Sequence, residues 1–64
     1  MSDLEFWLGH ITRRSPVSFA QVLIDAERAE WAIERVERLI ETLLRTRALE
    51  LDQQGILRPT QEPT

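Results

Sequence analysis

Apolar residues recur at intervals of three and four along most of the chain, the spacing that places them on one face of an α-helix. The first run is formed by Leu4, Trp7, Leu8 and Ile11. Ser2 and Glu5 have the spacing of a capping box, so this helix begins at Asp3. Residues 13–16 form a connection, because the residue before a proline is pushed out of helical geometry. The pattern therefore predicts a short helix over about residues 3–12, followed by a turn.

A second and much longer helix is predicted from residue 19. Ser18 and Gln21 repeat the capping box, and no glycine or proline occurs over residues 19–54. Gly55 then provides a typical helix stop. At 1.5 Å per residue this helix is roughly 54 Å long, against roughly 15 Å for the first helix.

The long helix carries a continuous apolar seam with heptad spacing, which fails only at Arg47 and Glu50. The short helix cannot cover the seam beyond Ile33, and leaving that half in water would forgo on the order of 10 kcal/mol of burial. We therefore expect self-association, with a homodimer first and a tetramer next. The predicted interface consists of Phe19, Val22, Ala26, Ala29, Ile33, Val36, Leu39, Ile40, Leu43, Leu44 and Leu51.

The predicted fold class is all-α, a helical hairpin that assembles into an oligomeric bundle or coiled coil. Residues 1–57 form the single structural unit, and residues 58–64, with two prolines, form a disordered tail. The short helix is expected to run antiparallel to the start of the long one and to cover Ile24 and Trp31. The alternative is that it packs on the seam and leaves Trp31 exposed for a partner.

Composition narrows the classes of function. The chain has 64 residues, no cysteine and one histidine, which excludes disulfides, thiolate metal sites and histidine clusters within it. Its formal net charge is −3 and all eight basic residues are arginine, a balance that disfavours nucleic-acid binding. The first residues lack a basic signal-peptide region and the apolar runs are too short to span a bilayer, so we expect a cytoplasmic protein.

An acidic stripe and the single histidine are the candidates for a metal site and for acid–base chemistry, respectively. Glu27, Glu30 and Glu34 line one flank of the predicted long helix, as in carboxylate-rich metal bundles, but no histidine accompanies them. A solvated acidic flank with i,i+4 ion pairs is the favoured explanation. His10 could act as a base or a pH sensor, although a histidine near a helix C-terminus also interacts favourably with the helix dipole. We predict no enzyme activity and no cofactor.

The arginine pair at the predicted turn suggests a helix-turn-helix reading, with Arg13 and Arg14 on phosphates. The second helix would then present Asp25 and Glu27, which suit neither a groove nor a phosphate backbone. Phe6 lies off the apolar face of the first helix and, with its neighbour, could enter a membrane surface. The acidic residues beside it disfavour that role.

The sequence thus predicts a non-enzymatic protein–protein interaction module: a small oligomeric adaptor, assembly factor, or regulator or inhibitor of a larger complex. The candidate partner-binding residues are Phe6, Trp7, Trp31, Arg13 and Arg14, because aromatic residues and arginine dominate interface energetics. One alternative is a small nucleic-acid-associated regulator that uses Arg13 and Arg14. A second alternative is a carboxylate-rich metal-binding bundle.

Overall fold

A computed structural model describes residues 2–60, which form three helices and three short strands. The helices are α1 (Asp3–Arg14), α2 (Phe19–Arg28) and α3 (Ile33–Arg45). The strands are β1 (Val17–Ser18), β2 (Leu49–Leu51) and β3 (Ile56–Pro59), and they pair antiparallel in the order β1-β3-β2. The fold is therefore mixed α/β, and the prediction of an all-α helical hairpin or coiled coil is wrong.

Both predicted capping residues cap helices. The Ser2 hydroxyl accepts a hydrogen bond from the Glu5 amide at 3.1 Å, and the Ser18 hydroxyl accepts one from the Gln21 amide at 3.0 Å. These contacts satisfy amide donors that have no partner within the helix itself. The starts of α1 and α2 are therefore confirmed, and α1 ends two residues beyond its predicted limit, before a cis peptide bond between Ser15 and Pro16.

The predicted long helix is broken first at Glu30. The backbone there adopts φ 63°, in the left-handed region that residues other than glycine seldom occupy. The Glu30 amide donates to the Glu27 carbonyl at 3.0 Å, and the Trp31 amide donates to the Ala26 carbonyl at 2.9 Å. This hydrogen-bond pair is the Schellman motif, which closes a helix C-terminus. It ends α2 and lets the chain turn before α3 begins.

A second Schellman motif ends α3 at Arg47, where φ is 65°. The Arg47 amide donates to the Leu44 carbonyl at 3.1 Å, and the Ala48 amide donates to the Leu43 carbonyl at 2.9 Å. The heptad seam fails at this same position. Residues 49–54, predicted as helix, instead form β2 and the turn that follows it.

The β2–β3 turn is organised by Asp52. Its carboxylate accepts hydrogen bonds from the Gln54 amide at 2.8 Å and the Ile56 amide at 3.0 Å, and Gly55 adopts φ 80°. The hydrogen bond from Ile56 contributes most to a lowered pKa of Asp52, and the Gln54 hydrogen bond and the charge of Arg58 reinforce it against the opposing effect of burial. Gly55 therefore marks a hairpin turn rather than a helix end.

The predicted C-terminal tail starts inside a strand, because Arg58 and Pro59 belong to β3. Residues 61–64 of that predicted tail lie outside the described residues. The predicted boundary at residue 57 therefore falls between paired residues of the sheet: Leu57 lies opposite Leu51, and Arg58 lies opposite Glu50.

The core is built largely from the seam that was predicted to be an oligomer interface. Because the chain turns back at Glu30 and Arg47, α1, α2, α3 and the sheet bury this seam within one chain. Of the predicted interface residues, those buried in the core are Val22, Ala26, Val36, Ile40 and Leu43; those half-buried against it are Phe19, Ile33, Leu39 and Leu44; and those exposed are Ala29 and Leu51. The predicted interface is thus corrected to an internal core, completed by Trp7, Ile11, Val17, Leu49 and Leu57. Self-association remains a prediction, but it loses the burial argument on which it was based.

The element order combines a helix-turn-helix pair, α2 and α3, with a following β-hairpin whose second strand lies in the middle of the sheet. One fold hosts many functions, so this order of elements does not by itself assign one.

Candidate protein-binding site

Three aromatic rings meet where α1 crosses the turn between α2 and α3. The rings of Phe6 and Trp31 are stacked, with centroids 5.7 Å apart and planes 13° apart. Trp7 meets both rings edge to face, at 5.5 Å from Phe6 and 5.4 Å from Trp31. Such edge-to-face and offset arrangements are the favourable ones for aromatic pairs. We call Phe6, Trp7, Trp31 and the adjacent Arg35 the aromatic patch.

The members of the aromatic patch differ in exposure. Trp7 was predicted as a partner contact, but it is 1% exposed and lies in the core beneath the other two rings. Phe6 is 41% exposed and Trp31 is half-buried, so these two rings form the accessible surface. The indole Nε1 of Trp7 is buried and has no hydrogen-bond partner within residues 2–60.

Arg35 extends the patch on the side of α3. Its guanidinium carbon lies 5.8 Å from the centre of the Trp31 ring, within the range of a cation–π interaction. The same guanidinium forms an ion pair with Asp3 in the first turn of α1. Sequence reasoning missed both residues, because the predicted continuous helix offers no signal that brings residue 35 next to residue 3.

The local backbone explains why Trp31 lies in this position. In the Schellman motif that ends α2, Trp31 is the residue after Glu30, a position that commonly makes an apolar contact. The expectation that α1 covers Trp31 is confirmed in part, since Phe6 and Trp7 both contact its ring but leave it half-buried. Ile24 was expected under the same helix but is 46% exposed.

A polar network joins α1 to α2 beside the aromatic patch. Asp25 Oδ2 lies 3.0 Å from His10 Nε2 and 2.8 Å from Arg14 Nε, and Asp25 Oδ1 accepts from Gln21 Nε2 at 3.1 Å. Burial alone raises the pKa of Asp25, but the hydrogen bonds from His10 and Gln21 and the charge of Arg14 outweigh it and leave the pKa lowered. The His10 ring also packs edge to face on Trp7, at 5.1 Å. Through the contact between His10 and Trp7, this network packs against the buried side of the aromatic patch.

The network bears on the roles predicted for His10, Arg13 and Arg14. His10 is engaged with Asp25 and Trp7, so its ring is a structural contact between helices. Arg13 and Arg14 are both exposed on the last turn of α1, but only Arg14 is paired with Asp25. The two arginines therefore do not form the paired anion site suggested by their sequence adjacency.

The acidic stripe proposed as a metal site is dispersed by the helix break. Glu27 lies on α2, Glu30 in the turn and Glu34 on α3, so their helical spacing does not apply across the break. Among residues 2–60, no group of three or more histidine or acidic side chains is arranged to hold a metal ion.

The outward face of α3 is charged but balanced. Glu34, Arg38, Glu41 and Arg45 follow one another along the solvent side of the helix and are all exposed. Arg38 Nη2 lies 4.0 Å from Glu34 Oε2, an i,i+4 pair. Alternating charges of this kind are typical of a solvated helix face.

The membrane alternative finds little support in the geometry. Of the two adjacent aromatic residues considered for membrane entry, Trp7 is buried in the core. Within the part of the chain that the structure describes, no helix is both long and apolar enough to cross a membrane.

No family model matches the chain, and no curated protein or solved structure matches it. The topology and the aromatic patch are therefore the observations from which a function is proposed.

Proposed function

We propose that this chain is a non-enzymatic protein-binding module that docks a partner protein on the aromatic patch. The proposal covers an adaptor, an assembly factor and a regulator or inhibitor of a larger complex, because all three require a specific protein contact. Phe6 and Trp31 are the contact residues, and Trp7 supports them from the core.

The observation that carries the proposal is the stacked Phe6–Trp31 pair, which is ordered in the chain without a partner. Trp7 braces both rings and Arg35 lies over Trp31. Tryptophan and arginine are enriched among the residues that dominate binding energy. Side chains that are already ordered lose little entropy on binding, so more of the contact energy is retained as affinity.

Phe6 alone provides a useful binding contribution. Burying a phenylalanine side chain is worth about 1.5–3 kcal/mol. With 41% of Phe6 still exposed, a partner that covers it completely gains about 1 kcal/mol from this residue. Contacts with Trp31 and Arg35 add to that value.

The proposal is tested by capturing partners from cells of the source organism with the tagged wild-type chain and with Phe6→Ser. The matched control is Ile24→Ser, since Ile24 is 46% exposed but lies outside the patch. Circular dichroism must first show that all three chains are folded.

A partner retained by the wild type and by Ile24→Ser, lost with Phe6→Ser, and then bound directly as a purified protein supports the proposal. Equal retention by all three chains contradicts it.

A nucleic-acid-binding role is the second candidate. The observation that favours it is the helix-turn-helix pair α2 and α3 followed by the β2–β3 hairpin, an order of elements that resembles winged helix-turn-helix domains. The balanced charges on α3 speak against it, because phosphate binding relies on a basic surface. The test is fluorescence anisotropy with labelled DNA and RNA at about 50 and 200 mM salt, using wild type and an Arg13→Ala, Arg45→Ala double variant. Salt-sensitive binding that the double variant loses would favour this role over protein docking.

A further inference from the structure

We propose that the partner segment docked on the aromatic patch is basic, and that one of its arginine or lysine side chains lies on the exposed part of the Phe6 ring. The inference rests on the proposed function and adds to it the chemical class of the partner. It is carried by the charge distribution around the patch together with the properties of its rings.

Acidic residues are concentrated around the aromatic patch. Asp3 and Glu5 lie in the first turn of α1, Glu30 precedes Trp31 in the turn, and Glu34 lies in the first turn of α3. Two arginines offset these four carboxylates, because Arg35 pairs with Asp3 and Arg38 Nη2 lies 4.0 Å from Glu34 Oε2. The formal net charge of the group is therefore −2, and it comes from Glu5 and Glu30, which form no ion pair within residues 2–60.

Helix dipoles reduce this negative charge without cancelling it. The N-termini of α1 and α3 both lie at this end of the molecule, as the ion pair between Asp3 and Arg35 shows. Each helix N-terminus corresponds to about half a positive charge. The C-terminus of α2, which ends just before Trp31, adds about half a negative charge. The end of the molecule that carries the patch therefore retains a net charge of about −1.5.

The rings themselves favour a cation. An aromatic face carries negative potential and attracts ammonium and guanidinium groups within about 6 Å of its centre. Arg35 already occupies such a position at Trp31. Among residues 2–60, no arginine side chain lies over the Phe6 ring. The ring contacts Trp31 and Trp7, and the remainder of it is exposed. Glu5, which precedes Phe6 in α1, contributes an exposed carboxylate at the same end of the helix.

Three other occupants fit the patch less well. A second copy docked patch to patch would bring two negative ends together. A second copy docked through its basic C-terminal ends of α1 and α3 would form a head-to-tail contact, which does not close into a dimer. Nucleic acids and anionic lipid surfaces would be repelled by the carboxylates.

The test is a titration of the full-length, isotope-labelled chain followed by NMR, with three short synthetic peptides as probes. Each peptide has one leucine flanked by two charged or polar positions on either side, occupied by arginine, glutamine or glutamate. The two tryptophans give two indole signals, and Trp31 reports the patch directly. The same titration is repeated with a short DNA duplex and with vesicles that contain anionic lipid.

We expect the arginine peptide to shift the Trp31 indole and the Phe6 amide, and to bind roughly ten-fold more tightly than the glutamate peptide. Added salt should weaken its binding. A Glu5→Gln, Glu30→Gln variant should lose several-fold in affinity. The matched Glu41→Gln, Glu50→Gln variant, which removes two exposed carboxylates elsewhere, should bind like the wild type.

The inference is overturned if the glutamate or glutamine peptide binds the patch as tightly as the arginine peptide, or if no peptide shifts the Trp31 indole. It is also overturned if the duplex, the vesicles or protein concentration alone produces the shifts. The proposed function survives the first two results if Phe6-dependent capture of a partner still holds. It fails only if that capture fails.

Discussion

Replacing Glu30 with glycine should stabilise the fold, although the same change within a helix would destabilise it. Glu30 adopts φ 63°, a conformation that costs a residue with a side chain roughly 1–2 kcal/mol relative to the right-handed region. Glycine adopts it without that cost but loses about 0.5–1 kcal/mol more backbone entropy on folding. The expected net gain is about 0.5–1 kcal/mol.

Arg47→Gly should act in the same direction but with a smaller gain. Arg47 also lies at a helix C-terminus with φ 65°, so glycine relieves the same backbone strain. Its positive charge, however, interacts favourably with the helix dipole, whereas the negative charge of Glu30 at the end of α2 does not. Glu30→Gly should therefore be the more stabilising of the two changes.

Thermal unfolding followed by circular dichroism measures both effects. For a domain of this size 1 kcal/mol corresponds to about 4–8 °C, so Glu30→Gly should raise the Tm by roughly 2–8 °C. Glu41→Gly is the control, because Glu41 is exposed within α3 and should lose about 1 kcal/mol. If Glu30→Gly and Arg47→Gly lower the Tm as much as Glu41→Gly does, residues 19–54 form a continuous helix and the fold described here is wrong.

Two further changes test the core and the polar network. Ile40→Ala should lower the free energy of unfolding, measured by urea denaturation, by about 2–5 kcal/mol, because Ile40 is fully buried. Leu51→Ala, at a 44% exposed position, should cost less than about 1 kcal/mol. Equal losses would contradict the assignment of the core. Because the folded-state pKa of Asp25 is lowered, its contribution is present above the unfolded-state pKa near 4 and is lost as the pH falls through the lower folded value. The wild type should therefore lose more stability than Asp25→Asn between pH 7 and about pH 3, and an identical loss in both chains would exclude this role for Asp25.

Local signals in the sequence predicted local structure well. The two N-caps depend only on a hydroxyl and an amide three residues apart, and both form as expected at Ser2 and Ser18. The second half of the predicted capping box is not seen at Ser18, because the Gln21 side chain donates to Asp25 instead. The helical periodicity of the apolar residues also identified most of the core. The periodicity correctly predicts that Val22, Val36 and Ile40 are buried. It assigns them to an interface between chains, whereas they pack within one chain.

The helix breaks could not be predicted by looking for glycine and proline. Both Schellman motifs place an ordinary charged residue in the left-handed region, and tertiary contacts at Trp31 and Ala48 hold it there. The loss of the heptad at Arg47 and Glu50 was a real signal that α3 had ended. The same loss is also expected in a continuing helix, because an apolar stripe of period 3.6 drifts relative to a strict heptad.

The candidate site was predictable only in part. Phe6 stood out because it lies off the apolar face of α1, and Trp31 because it was expected to need cover from the short helix. Arg35 and Asp3 could not be found in the same way, because they meet only after the α2–α3 turn has folded. For the same reason Glu30 and Glu34 are predicted on one stripe of one helix, although they lie in the turn and on α3.

The most direct test of the protein-binding role is an NMR titration of the labelled chain with the purified partner obtained through Phe6-dependent capture. The proposal predicts that the Trp31 indole and the amides of Phe6 and Arg35 shift most, with saturation at one partner per chain. Shifts confined to Arg38 and Arg45 on the outer face of α3, or to the β2–β3 turn, with an unchanged Trp31 indole, would contradict it.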